Sequence, residues 1–171
     1  MTNSIIAIQL SNSFDALSAV GAGVAGALAM LVVIYMGKAI RMTRMDLLSM
    51  LGTMFVPRCA KWHIYVAGLM VHLMMGAAFG LAHTGLLTWL DPSTNGGANG
   101  LGLLLGLGHG MIAGLIMPML LTMAHPLVRN KEMPQPGVAL SGFGSLTYVG
   151  VIMSHGVFGL VLSASYIGLI S

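Results

Sequence analysis

Apolar residues run almost unbroken through four stretches of the chain, at about 14–40, 63–90, 101–124 and 146–170. A helix needs about 20 mostly apolar residues to cross the hydrocarbon core of a bilayer. The pattern therefore predicts an all-α fold, a single polytopic domain over 1–171 with four transmembrane helices. A fifth, shorter element follows the first span. In TRMDLLSMLGTMF, Leu47, Leu48, Leu51, Met54 and Phe55 fall on one face by three-four spacing. Thr43 followed by Asp46 resembles a capping box. A short amphipathic helix over roughly 43–55 is expected at the membrane interface, ended by Pro57. The connection DPSTNGGANG reads as a loop, and PLVRNKEMPQPGVALSGFG, with three prolines and three glycines, as irregular chain.

Composition sharpens this picture. Hydrophobic types make up 57% of the 171 residues and charged types 6%, against about 25% charged in a soluble domain. Mean hydropathy is +0.92. Too few charges are present to clothe a water-facing surface, which excludes a soluble enzyme, a nucleic-acid binder and a disordered tail. The net charge of +3 reports topology. Lys38, Arg41, Arg44, Arg58 and Lys61 surround the first connection, Arg129 and Lys131 lie in the third, and the second has Asp91 and no cation. The positive-inside rule then places the first and third connections in the cytoplasm and both termini outside. The first residues, MTNSIIAIQLSNS, lack the charged start and long apolar core of a cleaved signal. The single cysteine, Cys59, excludes an internal disulfide and reads as an inert thiol.

Small residues and an internal likeness organise the spans. Gly68, Gly76 and Gly80 form a small-residue packing stripe on the second span, with His72 in it. Leu87, near the outer end, is expected to meet lipid. GAGVAGALAM at 21–30 is similar to GHGMIAGLIM at 108–117, which equates Gly23 with Gly110 and Met30 with Met117. His72-xxx-Gly76-xxx-Gly80 is likewise similar to His155-xxx-Gly159-xxx-Ser163, although pairing the two FGL triplets instead puts the histidines out of register. A real repeat would make two similar hairpins related by an axis along the membrane normal.

The candidate chemistry is histidine chemistry. Asp15, Asp46, Asp91 and Glu132 all lie at span ends or in loops, so no carboxylate relay or di-iron site is available inside. No catalytic motif is visible, and a non-catalytic protein is expected. His72, His83, His109 and His155 fall at membrane depth, while His63 and His125 fall near the cytoplasmic surface. His72 and His155 each lie about ten residues from the cytoplasmic start of a span, roughly 15 Å in. Level histidines on two helices could ligate haem b or another tetrapyrrole from both sides, with Gly76 and Gly159 making room for the ring. His109 and His83 are further candidates on the same faces. The alternative is that each imidazole hydrogen-bonds across the bundle. Copper is a weaker candidate, carried by Met70, Met74, Met75 and Met153 beside those histidines.

The segments MDLLSMLGTMF, VHLMMGAAFG, MIAGLIMPMLLTMAHP, PGVALSGFG and SHGVFGLVLSASY, which together span about 20–166, resemble those of an uncharacterised family of small four-helix prokaryotic integral membrane proteins. That resemblance implies the four-helix fold and no activity. Two functions remain in play. One is an accessory or structural subunit of a larger membrane complex, of a redox or electron-transport kind, whose other subunits cover the methionine-rich and glycine-rich faces. The other is a stand-alone small transporter or channel with a histidine-lined proton or metal path.

Overall fold

A computed structural model describes residues 14–170; the N-terminal reading above falls outside them. The described residues form α1 (Ala16–Ala39), α2 (Leu47–Phe55), α3 (Lys61–Leu90), α4 (Asn95–Ala124), α5 (Pro126–Arg129), a 3₁₀ stretch (Val138–Phe143) and α6 (Thr147–Ile170), with no strand among them. α1, α3, α4 and α6 are long and apolar enough to cross a membrane.

Two boundaries differ from the hydropathy pattern. α4 begins at Asn95, six residues before the apolar run, and winds the NGGANG segment into helix. Thr94 caps it, its Oγ1 accepting from the Gly97 amide at 3.0 Å. The early turns are then tied down by Ser163 Oγ, which donates to Asn99 Oδ1 at 3.1 Å, and by buried Ala98. Only Asp91–Thr94 connect α3 to α4. α2 begins at Leu47, and its cap is Asp46, whose Oδ1 accepts from the Ser49 amide at 3.2 Å. Thr43 is no part of a capping box. Its Oγ1 accepts from the Met45 amide and pairs with Thr147 Oγ1 at 2.8 Å, joining the turn after α1 to the start of α6.

Lateral order follows from small residues. α3 packs on α1, α1 on α6, and α6 on α4, whereas α3 and α4 barely touch through their backbones despite their short connection. At the α1–α3 crossing, a methyl on Gly76 would lie 2.5 Å from Ala27 Cβ and 3.0 Å from the Gly23 carbonyl. At the α4–α6 crossing, a methyl on Gly159 would lie against the Gly102 carbonyl and 3.0 Å from Gly106 Cα. The two hairpins are therefore built alike but out of register. The carbonyl that faces Gly76 is that of Gly23, while the one that faces Gly159 is that of Gly102, two turns from the Gly110 that the repeat pairs with Gly23. Nor does the broad α1–α6 junction have an α3–α4 counterpart.

α2 runs antiparallel along the first turns of α3, with Leu48 against Gly68 and Gly52 against Ile64. Its start is held by Asp46. That carboxylate accepts from Lys38 Nζ, from Tyr65 OH at 2.6 Å and from Tyr35 OH at 2.9 Å, besides its own cap bond. Partial burial raises the Asp46 pKa, but the bonds from Lys38, Tyr65, Ser49 and Tyr35 outweigh it and hold the group below its ordinary value. A carboxyl depressed in the folded state gives stability above its unfolded pKa and loses it as pH falls through the folded one. Thermal stability in detergent should accordingly decline on acidification below about pH 4, and decline less in Asp46→Asn, which should also be less stable at neutral pH. Parallel pH profiles for the two proteins would contradict this role.

Candidate functional site

Four histidines of α3, α4 and α6 turn into the middle of the bundle. His72, His83 and His155 are buried, and His109 is half-buried. Three of their rings stand in a row. The centroids of His155 and His109 lie 4.8 Å apart, and those of His109 and His83 lie 5.3 Å apart. The row thus passes from α6 through α4 to α3, across the seam where backbones fail to meet. Phe79 packs on His109 at 4.2 Å and Phe158 edges His83 at 5.4 Å, closing the row with apolar rings. His109 Nδ1, His83 Nδ1 and the neighbouring Thr84 Oγ1 are buried with no hydrogen-bond partner.

His72 and His155 are held differently. His72 Nε2 lies 3.0 Å from the Ala27 carbonyl of α1, and His155 Nδ1 lies 2.8 Å from the Val151 carbonyl one turn below it. A carbonyl can only accept, so each of these nitrogens carries the hydrogen and donates. The lone pair then sits on the other nitrogen, Nδ1 of His72 and Nε2 of His155. Both residues line one cavity of about 50 Å³ between α1, α2, α3, α4 and α6. His109, Met30, Met75 and Met117 line it too, and no carboxylate or thiol does.

This geometry reorders the sequence-level candidates. The strongest ring-to-ring contacts join His155, His109 and His83, so the two secondary candidates form most of the row. The spaces beside Gly76 and Gly159, which were to admit a ring, are filled by Ala27 and Gly23 of α1 and by Gly102 and Gly106 of α4. The remaining cavity is roughly a tenth of the several hundred Å³ that organic ligands occupy. As packed, these residues do not fit a tetrapyrrole. Of the methionines first considered for copper, Met70, Met74 and Met153 face outward and only Met75 reaches the cavity. Met30 and Met117 were passed over, although the internal likeness had paired them. Gly76 and Gly80 do face α1, while Gly68 faces α2. The longer small-residue file on α4, Gly102, Gly106, Gly110 and Gly114 at intervals of four, was also missed.

His125 is a structural group. It is wholly buried, between the end of α4 and the start of α5. Its Nδ1 accepts from the Val128 amide at 3.4 Å, and its Nε2 donates to the Met50 carbonyl of α2 at 2.9 Å. His63 is exposed and stacks on Trp62 with centroids 3.5 Å apart.

The likeness to small four-helix membrane proteins rests on the quoted segments alone, because no family model, curated protein or solved structure matches the chain.

Proposed function

We propose that the chain is a four-span protein of the prokaryotic cytoplasmic membrane, both termini outside, whose interior histidines carry a cation, a proton or a metal ion, through part of the bilayer. The observation that supports this reading is the row His155–His109–His83. Neutral imidazoles accept at one nitrogen and donate at the other, so adjacent rings exchange protons or hand on a metal ion. Burying a polar nitrogen without a partner is costly. Two such nitrogens in one row are a cost that a merely structural core would shed by using apolar residues. The membrane placement draws on the cation asymmetry and on Trp62 and Trp89, both largely exposed at opposite ends of α3. The 27 helical steps from one to the other span about 40 Å, the thickness of a bilayer with its headgroups. In this placement α2 lies at the cytoplasmic boundary.

Reconstitution into liposomes tests the path. With a membrane potential imposed and a pH-sensitive or metal-sensitive dye trapped inside, the wild-type protein should admit one of the two cations. His109→Phe keeps the aromatic packing and removes the central relay, so flux should fall at least tenfold. Wild-type liposomes that pass neither cation would overturn the path.

A second reading has its own support. Met70, Met74, Met111, Met119 and Met123 project from α3 and α4 and are exposed. Flexible thioethers suit an adaptable contact with other membrane subunits. This is the accessory-subunit reading, in a redox assembly or another. The glycine files are consumed inside the bundle, so methionine faces alone would meet the partner. A complex much larger than one chain in mild detergent favours this reading.

A further inference from the structure

We propose that the cavity among α1, α2, α3, α4 and α6 binds one soft monovalent metal ion, of the Cu(I) class, through His72 Nδ1, His155 Nε2 and the thioether sulfurs of Met30 and Met117. The proposal rests on the cation-path reading and names the cation.

The histidines are prepared as ligands. Metal-binding imidazoles characteristically donate their second N–H to a carbonyl or carboxylate, which fixes the tautomer and aims the lone pair. His72 does this to Ala27 and His155 to Val151, on different helices, and both line the same cavity. The hydrogen bonds of both rings are made at the nitrogen opposite the lone pair, and both residues line the cavity.

The donor set selects the ion. No three histidine, cysteine, aspartate or glutamate residues among those described come together as a metal site, so ligands beyond the two imidazoles must be thioethers. Thioether and imidazole are the pairing that Cu(I) prefers. Hard dications need several oxygen ligands, and the cavity offers no carboxylate. A single positive charge is also the least costly to hold among neutral donors in an apolar setting. The volume, about 50 Å³, is that of an ion or a few waters.

Met30 and His72 belong to the first two long helices, α1 and α3, and Met117 and His155 to the last two, α4 and α6. All four residues line this one cavity. Each half of the chain thus supplies one nitrogen and one sulfur, a two-plus-two set that suits four-coordinate or lower geometry. His109, in ring contact with His155, stands where the row leaves the site.

The test uses purified full-length protein in detergent, carrying Cys59→Ser because that exposed thiol would bind soft metals itself. Ag(I), a redox-stable probe, and Cu(I) under anaerobic reducing conditions are titrated against a chromophoric competitor. One ion per chain is expected. Met30→Leu with Met117→Leu conserves volume, and should weaken binding at least tenfold while the thermal midpoint of the metal-free protein barely moves. His155→Ala should do the same to binding. X-ray absorption of the loaded protein should show sulfur and nitrogen neighbours. Zero stoichiometry, or an affinity unchanged in the methionine double variant, would overturn the site. The liposome experiment separates the two claims. Proton entry without metal binding would sink the site and keep the path, whereas metal binding with neither cation passing would keep the site and sink the path.

Discussion

Gly106→Leu should yield no folded bundle. Gly106 lies where α4 crosses α6, and even a methyl there would press on the His155 carbonyl and sit 3.1 Å from Gly156 Cα. These are backbone atoms, which cannot rotate away as a side chain can. The helices must separate, and with them go the contacts around Gly102, Gly110 and Gly159 on the same seam. Overpacking in a core costs about 1–3 kcal/mol when side chains can yield. Here they cannot, and a loss above about 4 kcal/mol is expected, in the range that is diagnostic for single substitutions. Leu104→Ala, two residues away and largely exposed, is the control and should express like the wild type. The measurement is the yield of monodisperse protein in detergent; equal yields would show that α4 and α6 do not pack as described. Leu87→Ala would be a poor control, because Leu87 is buried against the bundle, contrary to the expectation of a lipid contact, whereas its neighbour Leu86 is exposed.

The second large effect is expected at His125. Its imidazole satisfies the Met50 carbonyl of α2 and the Val128 amide of α5 at once, with Thr53 Oγ1 3.2 Å from Nε2. Alanine leaves the buried Val128 amide unpaired, worth about 1–3 kcal/mol, takes one of its donors from the Met50 carbonyl, and opens a void where the ring was. The sum is about 3 kcal/mol or more, a fall of roughly 10 °C in thermal midpoint for a chain of this size. His63→Ala, which loses only an exposed stacking contact with Trp62, should shift the midpoint by no more than a few degrees. If the two variants melt together, His125 does not clamp α2 to the turn after α4.

The contrast between these histidines marks how far the sequence could be read. Apolar length identified four long helices because it is a local property. The start of α4 was hidden because Asn and Gly favour loops, and only the Thr94 cap and the contact with α6 reverse that preference. Depth along a helix was also readable, which is why His72 and His155 were paired. Lateral order was not. Nothing in the sequence says that α1 lies between α3 and α6, or that His109 would stand in ring contact with both His155 and His83. Those facts come from which glycine faces meet, and four helices each carry such a face. One available signal went unused: the four-residue period of Gly102, Gly106, Gly110 and Gly114 continues to buried Pro118 and marks the inward face of α4.

The sparse α3–α4 junction has a mechanical consequence. α1 and α6 form the spine of an open book, with α3 hung on one edge and α4 on the other. Between the two covers stand mainly the rings of Phe79, His83 and His109. Stiffness in such a body is uneven. Bending at the spine meets interlocked backbones, while parting the covers loosens aromatic edges and, beside α2, the contact of His125 with the Met50 carbonyl. The compliant direction therefore runs across the helix axes, and the short Asp91–Thr94 tether sets how widely the covers can part at one end. A molecule made this way would breathe across its helix axes more readily than along them.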